Sequence, residues 1–333
     1  MTGNSDTPSI FIVVPVFNDW KCFALLLDRI EVEFADANWE ITLLAVDDAS
    51  TETSQLSSIL TEKRAIIRQI QYIRLNRNVG HQQAIATALE FIHTDIDCDL
   101  IAIMDADGQD SPRDLVRLTN HLQDQSDVDL VFGRRQSRTE GILFRWFYKA
   151  YTVMFRVFTG IPIRFGHFCV IKKGVLECLI NSPKLAISFV GTILSSRIRF
   201  SFVNTSRNQR FEDESKMRFF SLVTHGLGAF VACGAIIGRR VLRFTMGLVF
   251  SGSIGYWLLD AKPQELTSAS SSYQVFLQIG MIVLSTTAVV AVFAWVGLVV
   301  FGLNISRRLK IIGPVLISEQ NSSKVRTEST RSL

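Results

Sequence analysis

Two aspartates one residue apart, Asp105 and Asp107, are the residues whose types and spacing most directly suggest chemistry. They follow the apolar run Leu100–Met104, which is bounded by a Gly/Asp/Pro cluster and therefore predicts a buried strand entering a loop. Two neighbouring carboxylates repel each other unless a cation lies between them. Because Mg²⁺ is usually bound by one or two carboxylates plus substrate phosphates, the pair fits a metal site for a diphosphate. Taken alone, it also fits a solvated, Asp-rich turn.

The elements that must position this pair can be predicted from apolar runs and from helical periodicity. The predicted strands are Ile10–Val16, Ile41–Val46, Ile70–Leu75, Leu100–Met104 and Asp129–Phe132. The predicted helices are Trp20–Phe34, His81–Ile92, a helix from Pro112 to about Gln123, and one capped by Ser50 or Thr51. Strands that alternate with helices of this length favour an α/β fold with a mostly parallel sheet.

Polar residues follow four of these strands and should meet at one edge of the sheet. They are Asn18 and Asp19, Asp47 and Asp48, Asp105 and Asp107, and Arg134. The carboxyl ends of parallel strands line one crevice, which is a nucleotide site by geometry. No G-x-G-x-x-G follows the first strand, and no G-x-x-x-x-G-K-[ST] is present. The sequence therefore disfavours a dinucleotide-dependent oxidoreductase and excludes a P-loop NTPase.

Composition narrows the class of protein further. Of the 333 residues, 48% are hydrophobic, with the excess in the last third, and the formal net charge of +4 is too small to indicate nucleic-acid binding. The five cysteines are scattered without zinc spacing, which predicts reduced, structural thiols. The polar N-terminus lacks the features of a signal peptide, and residues 1–9 are expected to be disordered.

Five segments in order resemble the family 2 glycosyltransferases with the GT-A fold: VVPVFND, VDDAST, RNVGHQQAIATAL, IMDADGQDSP and RFEDESK. The resemblance covers residues 10–216 and is nearest to the polyprenyl-phosphate branch, such as dolichol-phosphate mannose synthase and the bactoprenol glucosyltransferases. It implies a catalytic domain with a Rossmann-like, mostly parallel sheet. It also implies a nucleotide-sugar donor and Mg²⁺ or Mn²⁺ as the cofactor.

The resemblance also implies roles for individual residues in donor binding. The residues that correspond to the nucleoside site are Pro15, Phe17, Asp19 and Asp48. Asp48 is expected to accept a hydrogen bond from the base, although capping within its own loop is an alternative. The family's DAD segment corresponds to Asp105, Ala106 and Asp107. Within it, Asp105 is expected to contact the nucleotide-sugar, and Asp107 with Gln109 to bind the metal.

Basic residues complete the implied site. Arg134 stands where the family has an arginine after the fifth strand. Arg210 and Lys216 match an arginine and a lysine that grip phosphates, and a basic strip facing lipid headgroups is the alternative. The implied catalytic residues are Asp105, Asp107, Arg210 and Lys216.

Further residues near the implied site have more than one interpretation. Gly108 stands where related enzymes often have leucine, which predicts a more flexible loop. His81 could donate to a phosphate or cap its helix, and capping is favoured. Asp110 could support the metal ligands or cap the helix at Pro112. In residues 163–168, Arg164 and His167 depart from the family pattern, which leaves the identity of the sugar open.

The last third of the sequence predicts membrane segments. Residues 217–240 are expected to form a juxtamembrane amphipathic helix, with a spanning helix over Phe219–Ile237 as the alternative. Residues 241–310 are expected to form a hairpin of two transmembrane helices, 241–259 and 275–303, and residues 311–333 a cytosolic tail. Basic residues flank the outer ends of the hairpin, which places both termini and the catalytic domain in the cytosol. Glycines at 247, 252 and 255 would permit a homo-oligomer.

The hypothesis that follows is inverting, metal-dependent transfer of one sugar from a nucleotide-sugar to a polyprenyl phosphate, with a UDP-sugar slightly preferred over GDP-mannose. The amphipathic segment Gly141–Phe158 either borders the acceptor or simply packs on the sheet. One alternative function is transfer to a glycan or glycolipid hydroxyl, for which Asp110 would be the candidate base. The other is an inactive membrane adaptor on the same fold.

Overall fold

The structure is a computed structural model. It describes residues 7–135, 142–162, 166–206, 208, 210–211 and 219–260, together with residues 280, 286–287, 289, 296–297 and 318–319. Lys216, Arg164, the hairpin loop and most of the predicted span 275–303 lie outside the described residues, as does all but two residues of the predicted tail.

The described residues form one mixed sheet of eight strands in the order β7-β5-β6-β4-β1-β2-β3-β8. The strands are β1 Ser9–Val16, β2 Glu40–Asp47, β3 Ile67–Arg74, β4 Leu100–Ile103, β5 Leu130–Arg135, β6 Cys169–Lys172, β7 Phe200–Thr205 and β8 Ser318–Glu319. Neighbouring strands are parallel except where β6 pairs with β4 and β5 and where β8 pairs with β3. The prediction of a mostly parallel sheet is therefore confirmed.

Helices cover both faces of this sheet. They are α1 Trp20–Glu33, α2 Leu56–Thr61, α3 His81–Asp95, α4 Pro112–Asp124, α5 Ile142–Thr159, α6 Leu176–Ile180, α7 Phe189–Ser195, α8 Phe219–Ala232 and α9 Gly234–Asp260. Successive residues of β1 point to opposite faces, so Phe11 and Val13 pack in the layer that contains α3, while Ile10 and Ile12 pack in the layer that contains α1. Burial on both faces explains why the strands read as continuous apolar runs.

All five predicted strands are present, with ends shifted by at most three residues, and helices α1, α3 and α4 are confirmed. The prediction that Ser50 or Thr51 caps the next helix is wrong, because α2 begins only at Leu56 with Gln55 preceding it. The structure divides residues 219–237 between α8 and α9, with a break at Cys233, rather than forming one helix. Within the described part of the chain, no helix is both long and apolar enough to cross a membrane.

Candidate functional site

The loops after β1 and β2 are held together in a strained arrangement at the carboxyl edge of the sheet. Asn18 and Ala49 have φ values of 55° and 60°, in the left-handed region that residues with a Cβ rarely adopt. The Asn18 side-chain oxygen accepts hydrogen bonds from the backbone N–H groups of Thr51 at 2.8 Å and Glu52 at 3.1 Å. The Asn18 N–H in turn donates to the Ser50 hydroxyl at 2.9 Å. These bonds offset the strain and fix both loops where the nucleoside residues were predicted.

The residues implied to hold the nucleoside lie on these two adjacent strand ends. Pro15 is buried in β1 opposite Val46 of β2. Phe17 is 40% exposed, and Asp19 immediately precedes α1. The structure therefore brings the predicted nucleoside residues to one edge, while their contact with a nucleoside stays a prediction.

Asp48 binds the backbone of the neighbouring loop. Its two carboxylate oxygens accept the N–H groups of Val79 at 2.7 Å and Gly80 at 2.9 Å, although the side chain is almost fully buried. Burial raises the pKa of Asp48, while these two backbone bonds oppose the rise. The carboxylate thus joins the end of β2 to the start of α3. Sequence reasoning considered only a contact to the base or a cap within the residue's own loop.

The loop after β4 carries the predicted metal ligands. The Asp105 N–H donates to the carboxylate of Asp110 at 3.2 Å, and the Gln109 N–H donates to Asp107 at 3.0 Å. Asp110 is 3% exposed, so of the two roles left open for it the structure favours support of the loop. Ala106 is buried between the two aspartates.

Asp107 lies in an electrostatically unfavourable position in this loop. Burial, with the nearby Asp105 carboxylate adding to it, raises the pKa of Asp107 to about 6. The Gln109 N–H and the Arg210 guanidinium act in the opposite direction, and the guanidinium lies 3.1 Å from an Asp107 oxygen. A divalent cation would relieve the same repulsion, and carboxylate and amide oxygens are ligands suited to Mg²⁺ and Mn²⁺. The donor set of Asp107 and Gln109 therefore fits the implied metal.

The segment that carries Arg210 packs directly on this loop. The N–H groups of Asn208 and Phe211 donate to the carbonyls of Gln109 at 3.2 Å and Asp107 at 3.1 Å. The Phe211 ring lies against Gly108, where any Cβ would overlap it, and Gly108 has a φ of +77°. Glycine is therefore required here by both conformation and packing, whereas the sequence had suggested only a more flexible loop.

His81 and His167 converge on Asp105. Nε2 of His167 lies 2.9 Å, and Nε2 of His81 lies 3.7 Å, from the same Asp105 oxygen. The two imidazole rings are 4.2 Å apart between centroids. The preferred interpretation of His81 as a helix cap is wrong, since Gly80 occupies the cap position of α3 and the His81 side chain faces Asp105. The sequence analysis identified His167 only as a departure from the family pattern, and the structure places it beside the DAD segment.

For two other predicted site residues, Arg134 and Lys216, contact with the donor stays a prediction. Arg134 lies on β5 in register with Asn204 of β7, and its side chain is exposed. Lys216 lies outside the described residues.

Sequence reasoning missed two partly buried polar contacts that shape the site. Asp114, on the first turn of α4, accepts the Ser206 N–H at 3.0 Å and so anchors the chain just before the Arg210 segment. Gln82 accepts the Phe189 N–H at 2.7 Å, which joins the starts of α3 and α7. An acidic residue in a first helical turn and a polar residue at a helix start are too common to have indicated these partners.

Comparison with known proteins places this arrangement in a family. The sequence profile described as "Glycosyl transferase family 2" matches residues 11–180. The dodecaprenyl-phosphate galacturonate synthase of Rhizobium johnstonii is 26% identical over 137 residues, which are 40% of this chain and 38% of that protein. The undecaprenyl-phosphate 4-deoxy-4-formamido-L-arabinose transferase of Photorhabdus laumondii is 24% identical over 218 residues, 64% of each chain.

The chain therefore spans less than two thirds of the length of either curated relative. Among solved structures, glucosyl-3-phosphoglycerate synthase from Mycobacterium tuberculosis, determined with Mn²⁺ and UDP-glucose, aligns with a TM-score of 0.48 and 16% identity over 69% of this chain and 81% of that one. The family assignment depends on the profile and on the observed α/β fold, with its mostly parallel sheet of GT-A type. Because the profile covers more than half of the 333 residues, the chain belongs to glycosyl transferase family 2.

Proposed function

We propose that this chain is a glycosyltransferase that moves one sugar from a nucleotide-sugar to a polyprenyl phosphate, with inversion at the anomeric carbon. The observation that carries the proposal is the convergence of Asp48, Asp105, Asp107 and Arg210 on one edge of a family 2 fold. One relative is named a dodecaprenyl-phosphate galacturonate synthase and another an undecaprenyl-phosphate 4-deoxy-4-formamido-L-arabinose transferase, and both names support the acceptor class.

Donor binding follows from the strand ends. The nucleoside would lie against Phe17 and Asp19, where the loops after β1 and β2 are already fixed by the Asn18 hydrogen bonds. A site that is ordered before binding costs less entropy when the ligand arrives. A UDP-sugar is slightly preferred as the donor.

The diphosphate would lie beside the DAD segment. A bound Mg²⁺ or Mn²⁺, held by Asp107 and Gln109, would supply Lewis-acid stabilisation of the charge that develops on the leaving diphosphate. Arg210 is within reach of the same position, because its guanidinium already lies 3.1 Å from Asp107. A guanidinium can make two parallel hydrogen bonds to a phosphate, so Arg210 is suited to hold the leaving group in one orientation. Lys216 is proposed to add a second positive charge.

A phosphate acceptor needs no strong general base, because it is already an anion at neutral pH. The alternative acceptor, a glycan hydroxyl, would need one, and Asp110 was the candidate. Asp110 is only 3% exposed, and its carboxylate accepts a hydrogen bond from the Asp105 N–H. These observations favour the phosphate acceptor.

A basic cavity supports an anionic lipid as the acceptor. A cavity of about 370 Å³ is lined by Arg239, Arg240 and Arg243 of α9 and by Thr159 and Gly160 at the end of α5. Three guanidinium groups around one cavity would attract a phosphate headgroup. We propose that this cavity orients the lipid phosphate at the membrane surface.

The exposed apolar side chains of α9 support contact with a lipid bilayer. Large apolar residues on this helix are more than half exposed: Leu242, Phe244, Met246, Val249, Phe250 and Trp257. We propose that α9 contacts the membrane, that residues 241–259 and 275–303 form the hairpin, and that the catalytic domain, residues 10–216, faces the cytosol. Carbonate extraction of membranes, together with labelling of a cysteine introduced by Ser270→Cys into the 260–274 loop, tests this topology. Release of the chain by carbonate, or labelling from the cytosolic side, would contradict it.

The transfer reaction is tested with the purified full-length chain and Asp107→Asn. Thermal stabilisation by a panel of UDP-, GDP- and dTDP-sugars, with and without Mg²⁺ or Mn²⁺, first identifies the donor. Transfer to a polyprenyl phosphate is then expected to fall by about 10²–10³-fold in the variant, as when one group that stabilises the transition state is removed. Asp124→Asn, which changes an exposed aspartate at the end of α4, is the matched control and is expected to retain full activity. Near wild-type transfer by Asp107→Asn with metal present would overturn the assignment.

A further inference from the structure

Three side chains outside the predicted metal site meet because of the sheet's one central antiparallel strand. In the β4–β6 ladder Ile103 pairs with Cys169, and the strands run in opposite directions. Continuing this register by two residues brings Asp105, after β4, opposite His167, before β6. The first residue of α3, His81, reaches the same point from the neighbouring loop. Three separate segments thus deliver two imidazoles and one carboxylate to one place.

The ligand atoms of these side chains lie close enough together to approach a metal coordination shell. One nitrogen from each histidine and one Asp105 oxygen all lie within 4.8 Å of one another. The two nitrogens are 2.9 Å and 3.7 Å from that oxygen. Ligands bound at about 2.0–2.1 Å lie roughly 2.9 Å apart in octahedral and roughly 3.4 Å apart in tetrahedral geometry. Small side-chain rotations would therefore place all three on one ion.

The backbone around this cluster is held in place. The Asp105 N–H donates to Asp110, which is itself buried. The carbonyl of Phe168, next to His167, accepts the Gly133 N–H at 2.9 Å. The start of α3 is fixed by Asp48 through the Gly80 N–H. A coordination site is precise when its ligands stand on such supported segments.

We propose that His81, Asp105 and His167 form a second divalent-cation site, selective for a transition metal such as Zn²⁺ or Co²⁺ over Mg²⁺. Imidazole nitrogens favour these ions, whereas Mg²⁺ prefers oxygen ligands. Three protein ligands leave an open position, and the side chains are 19–27% exposed, so water or a substrate oxygen can reach the ion. The site is distinct from Asp107 and Gln109. Metal binding at this site requires only the folded chain and does not depend on the proposed transfer reaction.

The test is a titration of the purified full-length chain with Co²⁺ in the absence of nucleotide, followed by visible d–d absorption, with Zn²⁺ and Mg²⁺ as competitors. The variants are His81→Ala, His167→Ala and His167→Asn, the last of which keeps a polar group beside Asp105. The matched control is His93→Ala, on the same helix as His81. Asp107→Asn separates the two proposed sites. Circular dichroism confirms that each variant is folded.

Without nucleotide, one tightly bound Co²⁺ per chain is expected at this site, displaced by Zn²⁺ but not by millimolar Mg²⁺. Its affinity should fall at least tenfold in each variant of His81 and His167. It should be unchanged in His93→Ala and fall less than tenfold in Asp107→Asn, because the Asp107 carboxylate lies near Asp105 without being a ligand. Absence of Co²⁺ binding by the folded wild type, or wild-type affinity in His167→Asn and His81→Ala, would overturn the proposal. Nucleotide-sugar binding is measured on the same samples. Its loss with Co²⁺ binding intact would refute the proposed function and leave this inference standing.

Discussion

Replacing Gly108 with alanine should weaken the contact between the DAD loop and the segment that carries Arg210. The φ of +77° at this position costs a residue with a Cβ about 1–2 kcal/mol. The new methyl group would also overlap the Phe211 ring, and overpacking of this kind costs typically about 1–3 kcal/mol. Together these effects amount to about 2–5 kcal/mol. Because each 1.4 kcal/mol is a factor of ten, the ratio of docked to undocked molecules should fall at least about thirtyfold.

Isothermal titration with the identified nucleotide-sugar measures this effect, since Arg210 would contact the donor only from the docked segment. The dissociation constant of Gly108→Ala should rise at least about thirtyfold, while the melting temperature of the sheet changes little. Gly174→Ala is the matched control, because a Cβ there meets open space without a positive φ. Adding Phe211→Ala to Gly108→Ala removes the overlap but not the backbone cost, and should restore part of the affinity. A dissociation constant for Gly108→Ala within twofold of wild type would refute the reasoning.

Three other predictions concern charge. In Asp48→Asn, an amide NH₂ group replaces one of the two carboxylate oxygens that accept the N–H groups of Val79 and Gly80. The free energy of unfolding should therefore fall by about 1–3 kcal/mol, and an unchanged urea midpoint would contradict this. Arg210→Lys keeps the charge but loses the two-pronged geometry, so nucleotide affinity should fall about tenfold, and equal affinity by titration would show that charge alone suffices. The Arg199 hydrogen bond lowers the pKa of Asp129. The stability advantage of wild type over Asp129→Asn should therefore be present at neutral pH and shrink as the pH falls below about 4; a pH-independent difference in denaturation midpoints would exclude this linkage.

The sequence was sufficient to predict the strands and helices of the parallel part of the sheet. Buried strands such as β1 and β2 are unbroken apolar runs, and the helices between them have clear periodicity, so element type and order were readable. Strand β6, Cys169–Lys172, was not predicted, because nothing local to so short an apolar run shows that it pairs with β4 and β5. The insertion of β6 between β4 and β5 depends on tertiary structure, because it requires that both of these strands have an unpaired edge.

The same limit applies to the candidate site. The spacing of Asp105 and Asp107 after a strand indicated their place at the sheet edge, and the structure confirms that place. The neighbours of His81 could not be predicted, because its contact with Asp105 depends on where α3 begins relative to the sheet edge. The position of His167, which lies 62 residues after Asp105 in the sequence, depends in turn on the pairing of β6 with β4. Local patterns report periodicity and capping, whereas a contact between distant segments depends on strand order.

The position of β6 also has a consequence for the order in which the chain can fold. The first four strands form parallel pairs from neighbouring units, and each can assemble soon after its residues are made. Strands β4 and β5 are not paired with each other, so each keeps an open edge until residues 169–172 arrive. An open strand edge is a template for pairing with another chain. During synthesis, the nascent chain therefore passes through a stage in which β4, later a central strand, presents an open edge that a chaperone could protect.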